Sequence, residues 1–97
     1  MKAARRLPRL SDAARQDVRR ILTWFESPRR RLAFLDSLEV ARRRLMEFPE
    51  IGTRKGGAGE RQWVAGGEFV ICYRIAGDGR VDIARIYGPG ERHSWEY

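Results

Sequence analysis

The stretch ERQWVAGGEFVICYRIAGDGRVDIARIY, Glu60–Tyr87, decides the fold. It divides into three runs rich in aromatic and β-branched residues, separated by glycine steps. Runs of that composition bounded by glycine clusters are the signature of strands joined as hairpins. The expected strands are Glu60–Ala65, Glu68–Ala76 and Arg80–Tyr87. Gly66-Gly67 and Gly77-Asp78-Gly79 break them, and Gly88-Pro89-Gly90 closes the last. Gly-Gly and Asp-Gly steps supply the positive φ that a tight hairpin turn needs, so the three strands form an antiparallel meander. In the middle strand Phe69, Ile71, Tyr73 and Ile75 alternate onto one face, with Val70, Cys72 and Arg74 on the other.

Everything upstream is patterned to cover one face of that sheet. Arg5–Leu10 reads as a first strand, confined by Pro8 to an edge or to irregular pairing. Ser11 is an N-cap candidate, with Asp12 placed where the helix dipole favours a negative charge. The helix that follows is expected over Asp12 to about Glu26, with Ala14, Val18, Ile21, Leu22 and Phe25 as its apolar stripe. Ser27-Pro28 restarts the chain as a second helix reaching about Phe48, striped by Phe34, Leu38, Ala41, Leu45 and Phe48 with Leu35 beside them. So short a connection between two amphipathic helices forces an antiparallel hairpin. Pro49 ends the second helix, and Glu50–Gly59 is expected to be a glycine-rich connecting loop. The fold class is therefore α+β: an N-terminal strand, then an antiparallel α-helical hairpin packed on a C-terminal three-stranded antiparallel β-meander. Residues 1–97 make a single domain.

Composition limits what this domain can do. Twenty basic residues face thirteen acidic ones, a net charge of +7, and all of the basic residues except Lys2 and Lys55 are arginine. Such an excess on a small domain fits an anionic partner and, equally, solvated arginine-rich helix faces; arginine suits carboxylate and phosphate alike. A lone cysteine forms no internal disulfide, which fits a reducing cytoplasm. The basic start at Met1 has no apolar segment behind it, so no signal peptide is expected, and no run approaches membrane-spanning length.

Metal and cofactor chemistry are not expected, because His93 and Cys72 do not make up a usual ligand set. Cys72, mid-strand among apolar neighbours, is expected to be inert. Glu50–Gly59 carries Arg54 and Lys55 but lacks the Gly-Lys-Ser/Thr step of a phosphate-binding loop. Metal-free RNA cleavage needs an acid/base pair and converging cations. Arg61, Arg74, Arg85, Arg92, His93 and Tyr97 are the residues that would have to converge.

Several spaced motifs carry a family resemblance: Arg9-Leu10-Ser11-x-x-Ala14-x-x-Asp17-Val18-x-x-Ile21, Leu45-x-x-Phe48-Pro49-x-x-Gly52, Arg61-x-Trp63, Phe69-Val70-Ile71-Cys72-Tyr73-Arg74 and Val81-Asp82-Ile83-Ala84-Arg85-Ile86. In this order and spacing the chain resembles the RelE/ParE superfamily of type II toxin–antitoxin toxins over nearly its whole length. The resemblance implies a toxin held inactive by a cognate antitoxin. RelE-like members cleave mRNA on the ribosome with basic residues and a C-terminal Tyr or His; ParE-like members poison DNA gyrase by binding. This chain sits nearer the ParE-like branch, because Trp63 and Val70 stand where RelE-like proteins place cations. Under the ParE-like reading there is no catalytic residue, and Arg92, His93, Trp95 and Tyr97 are the candidates for contact with the target. Under the RelE-like alternative Arg61, Arg92, His93 and Tyr97 would be catalytic. The resemblance further implies an acidic or amphipathic antitoxin segment over the helical hairpin and along the sheet edge, in a toxin–antitoxin hetero-oligomer. Trp24, Leu32, Leu35 and Val40, with Arg42, Arg43 and Arg44, are the candidate contacts.

Overall fold

A computed structural model describes residues 6–56, 59–66 and 68–91. The elements run β1 (Arg9–Leu10), α1 (Asp12–Trp24), α2 (Pro28–Glu47), β2 (Thr53–Lys55), β3 (Glu60–Ala65), β4 (Phe69–Ile75) and β5 (Val81–Tyr87). They form one five-stranded sheet in the order β1-β5-β4-β3-β2, with β1 parallel to β5 and the other neighbours antiparallel. The expected helical hairpin and meander are both present. Ser11 and Ser27 cap the two helices through their hydroxyls, which accept from the amides of Ala14 and Arg30.

Two features of the sheet differ from the sequence reading. The expected loop after α2 contains β2, a strand of Thr53, Arg54 and Lys55, all exposed. It carries no apolar alternation and owes its strand conformation to antiparallel pairing with β3. A brief, charged edge of this kind also resists pairing with other chains. The first strand is shorter than expected, because pairing with β5 begins only after Pro8, which has no amide hydrogen to donate.

The core lies between the helices and one face of the sheet. Phe69, Ile71 and Tyr73 of β4 pack with Ile83 and Ile86 of β5, Ala14 and Ile21 of α1, and Phe34, Leu38, Ala41 and Leu45 of α2. An aromatic run ties hairpin to sheet: the Phe25 and Phe34 rings lie 6.0 Å apart, and Phe34 meets Phe69 edge-on at 5.4 Å. Each fully buried side chain of this size contributes about 1.5–3 kcal/mol. Phe48, placed by its period in the core stripe of α2, is instead the C-cap residue and is exposed. Its backbone has left the helical region, so the helical period no longer directs its side chain.

Ile83 and Ile86 are three residues apart, yet both are buried. A regular strand would turn them to opposite faces. The register with β4 slips between Cys72, which faces Arg85, and Tyr73, which faces Ile83. Ala84 is the extra residue of this bulge. An inserted residue reverses which face the later side chains occupy, and here it brings Ile86 back to the core.

Candidate functional site

The outer edge of β5 is where the fold is locked. β1 covers that edge only as far as Ile83. Beyond it the backbone groups of β5 would lack partners, and unpaired groups of this kind are costly when buried. Side chains from the start and middle of α1 satisfy them. The Ser11 amide donates to the Ile83 carbonyl at 3.0 Å, and its hydroxyl to the Ala84 carbonyl at 2.8 Å. The Ile86 amide donates to Asp17 at 2.8 Å. Asp17 is almost fully buried and also accepts from Arg85 at 2.8 and 3.0 Å and from Arg20 at 2.6 Å. Arg20 in turn donates to both Glu91 oxygens at 2.8 Å, and Glu91 accepts the Gly88 amide at 2.9 Å. Tyr87 lies against the Arg85 guanidinium.

This network sets the charges. Burial opposes ionisation of Asp17, but the hydrogen bonds from Arg85, the Ile86 amide and Arg20 outweigh it and hold the carboxyl below its ordinary value. Hydrogen bonds to Glu91 and Asp17 push the Arg20 guanidinium up, and the bond to Asp17 does the same for Arg85. Arg85, one of the cations considered for RNA cleavage, is thus paired with a carboxylate across the α1–β5 boundary.

Arg61 is also occupied by structure. Its Nη1 donates to the carbonyls of Gly52 at 2.8 Å and Glu50 at 3.4 Å. The same loop is held from below by Tyr73, whose hydroxyl donates to the Pro49 carbonyl at 2.7 Å and accepts the Gly52 amide at 2.8 Å. Gly52 is required by this approach: a Cβ there would stand 2.7 Å from the Tyr73 hydroxyl and 2.9 Å from the Gln62 carbonyl. Trp63 packs against the core, and Val70 is buried. Arg74 is exposed, in a loose pair with Glu60 at 3.6 Å. Arg92, His93, Trp95 and Tyr97 lie outside the described residues.

The hairpin presents an apolar outer surface. Trp24, Leu32, Leu35 and Val40 are all exposed, Leu32 and Val40 most of all at 63% each. They do not form one patch. Val40 and Arg44 line a groove of about 350 Å³ with Asp36, Trp63 and Phe69, between α2 and the sheet. Leu35 and Arg42 line a trough of about 390 Å³ on the other flank, with Leu10, Val18 and Leu38. Trp24 lies at the end of α1 against Gly88, where a Cβ would meet its ring at 3.2 Å. Nor do the three consecutive arginines act alike. Arg43 and Arg44 are exposed, whereas Arg42 folds back to donate to the Pro8 carbonyl at 2.7 and 3.3 Å. The reading of the sequence missed Asp17 and Tyr73 as fixed points. The signal for Asp17 was its place in the apolar stripe of α1, three residues after Ala14 and four before Ile21.

A sheet with one helix-covered face and a helical hairpin with apolar flanks defines a small two-layer domain that offers contact surfaces to partners. Residues 9–91 match the family described as the ParE toxin of the parDE type II toxin–antitoxin system, and the chain belongs to that family. A comparison with curated proteins gives no match. Among solved structures, a chain of the chromosomal ParDE toxin–antitoxin system from P. aeruginosa superimposes with a TM-score of 0.70 at 16% identity. The match covers 89% of this chain and 99% of that one. At that identity the likeness is one of fold. No described helix is long and apolar enough to cross a membrane.

Proposed function

We propose that this toxin acts by binding rather than by catalysis, inhibits DNA gyrase, and is neutralised by a cognate antitoxin. The observation that carries the first part is the commitment of two of the cations considered for catalysis, Arg61 and Arg85. Arg61 donates to two loop carbonyls, Arg85 is paired with buried Asp17, and the position of Val70, where a RelE-like cation would stand, holds a buried apolar side chain. A nuclease needs cations aimed at a developing phosphorane charge; these are aimed at the protein's own backbone and carboxylate. Membership of the ParE toxin family supports gyrase as the target. The test is supercoiling by purified gyrase with the full-length toxin added. Inhibition with accumulation of cleaved DNA complexes is the expected outcome. Unaffected supercoiling at excess toxin, with codon-linked mRNA cleavage after induction in cells, would replace this reading with ribosome-dependent RNA cleavage.

For the antitoxin, the two flanks of α2 are the expected contact surface. Both pair exposed apolar side chains with arginines: Val40 with Arg44, and Leu35 with Arg15 and Arg19. An amphipathic segment with acidic residues beside its apolar face complements that arrangement, and such segments often fold on binding. Charge reversal at Arg43 and Arg44 should weaken the complex. Arg42, tied to Pro8, is excluded from that test because its loss would disturb the fold.

A further inference from the structure

Arginines from four separate segments meet at one place, next to the Leu35 trough and sharing Arg15 and Arg42 with it. Arg6 and Arg9 come from the N-terminal strand region, Arg15 from the first turns of α1, Arg42 from α2, and Arg80 from the turn before β5. They line a cup of about 500 Å³ whose remaining walls are Leu7, Pro8 and Leu10. Among the described residues no carboxylate lines it. The nearest acidic partners stand at long range: Arg15 lies 3.6 Å from Asp12, Arg42 3.8 Å from Glu39 and Arg80 4.0 Å from Asp78. Pairs of that length whose carboxylates are open to solvent contribute little. Hydrogen bonding from the Arg80 amide, with smaller help from the charges of Arg80 and Arg6, lowers the pKa of Asp78. Among the described residues neither Arg6 nor Arg9 has a carboxylate within 4 Å.

We propose that this cup binds the phosphodiester backbone of a nucleic acid. Arg6, Arg9, Arg15 and Arg80 are like charges that repel one another around the cup; Arg42 is held by the Pro8 carbonyl, and of the four only Arg15 and Arg80 have a carboxylate nearby among the described residues, at 3.6 and 4.0 Å. A polyanion relieves that repulsion, and guanidinium forks match phosphate oxygens. An extended acidic peptide fits less well. It would pair through its backbone, yet Arg42 already occupies the Pro8 carbonyl at the cup's inner wall. A helical peptide would seek the apolar trough that adjoins the cup rather than the cup itself. The site does not depend on gyrase being the toxin's target.

The test must separate a site from the general effect of a net charge of +7. Binding of the full-length protein to a fluorescent duplex of about 20 base pairs is titrated across salt concentrations. Arg9→Glu with Arg15→Glu is compared with Arg29→Glu and Arg30→Glu, which change net charge equally on exposed positions outside the cup. The cup pair should lose roughly tenfold or more in affinity and reduce the salt slope by about 2, because each phosphate left without its arginine removes close to one unit of slope. The control pair should lose no more than about threefold, as expected for long-range charge alone. Arg6→Ala with Arg9→Ala should fall between them, and covers the case in which the double reversal does not fold. Equal losses in cup and control pairs would overturn the proposal. So would displacement of the duplex by a polyglutamate peptide of matched charge at lower concentration than by unlabelled duplex, which would make the cup an acidic-peptide site.

Discussion

Replacing Asp17 by Asn should cost this domain a large part of its stability without touching any surface proposed to meet a partner. Asp17 accepts three kinds of donor: the Ile86 amide and the guanidiniums of Arg20 and Arg85. The amide side chain keeps one acceptor but turns an NH2 toward donors and removes the charge. Removing one member of a buried ion pair typically costs about 3–5 kcal/mol, because the other is left uncompensated. Here the abandoned arginines are 37% and 44% exposed and can rehydrate, which lowers the figure. The Ile86 amide keeps a weaker acceptor. A loss of about 2–3 kcal/mol follows, and for a domain of this size that is a fall in Tm of roughly 10–20 °C. The pH dependence carries its own sign. The folded carboxyl titrates below its unfolded value, so its contribution is complete above the unfolded carboxylate range near about pH 4. It is lost as pH falls through the lower, folded value. The gap between wild type and Asp17→Asn should therefore be full at pH 7 and close on acidification below about pH 4. Thermal melts followed by circular dichroism at several pH values measure both effects. An unchanged Tm at pH 7, or a gap that does not narrow as pH falls below about 4, would refute the assignment of Asp17 as an ionised staple.

Four other outcomes test the rest of the structure. Tyr73→Phe leaves the Gly52 amide and Pro49 carbonyl without their partner and should lower stability by about 1–3 kcal/mol in urea titrations; Gly52→Ala should cost at least as much, since neither the tyrosine hydroxyl nor the Gln62 backbone has room to move. Burial raises the Cys72 thiol to about 11, so alkylation of the folded protein by iodoacetamide at pH 8 should be roughly 100-fold slower than in denaturant, as thiolate fraction dictates. Leu32→Asp with Val40→Asp should leave Tm within about 2 °C, because both side chains are largely exposed, while weakening antitoxin binding at least tenfold in calorimetry.

Local pattern was enough to read the helices and the meander. Ser11 and Ser27-Pro28 mark helix starts by chemistry that needs nothing beyond the next three residues, and the glycine steps mark the hairpin turns in the same way. The third strand, β3, spans the residues expected, Glu60–Ala65. β2 was not legible because Thr53-Arg54-Lys55 has no alternation; its strand conformation comes from its neighbour. The slip at Ala84 left a trace in the spacing of Val81, Ile83 and Ile86, but a spacing of three in a strand acquires meaning only once the face of the sheet is known. The candidate site followed the same division. Exposure of Trp24, Leu32 and Val40 could be anticipated, because each falls off the apolar stripe of its own helix, whereas Leu35 sits beside the stripe of α2 and is still exposed. Their separation onto different flanks could not, since it depends on where the sheet lies.

The sequence by itself determined the two-layer class, the order of helices and meander, and the ParE-like resemblance, because periodicity and capping act over a few residues. The tertiary structure decided what the charges do. A run such as Arg42-Arg43-Arg44 looks uniform along the chain, yet Arg42 turns inward to a carbonyl thirty-four residues away while its neighbours face solvent. Asp17, Arg85 and Arg61 are likewise fixed by partners distant in sequence or across the sheet. A charged side chain settles where counter-charges and unpaired backbone groups meet in space. In Glu60–Tyr87 this is why Arg61 and Arg85 support the fold, although each stands where sequence alone would allow a cation to work on RNA.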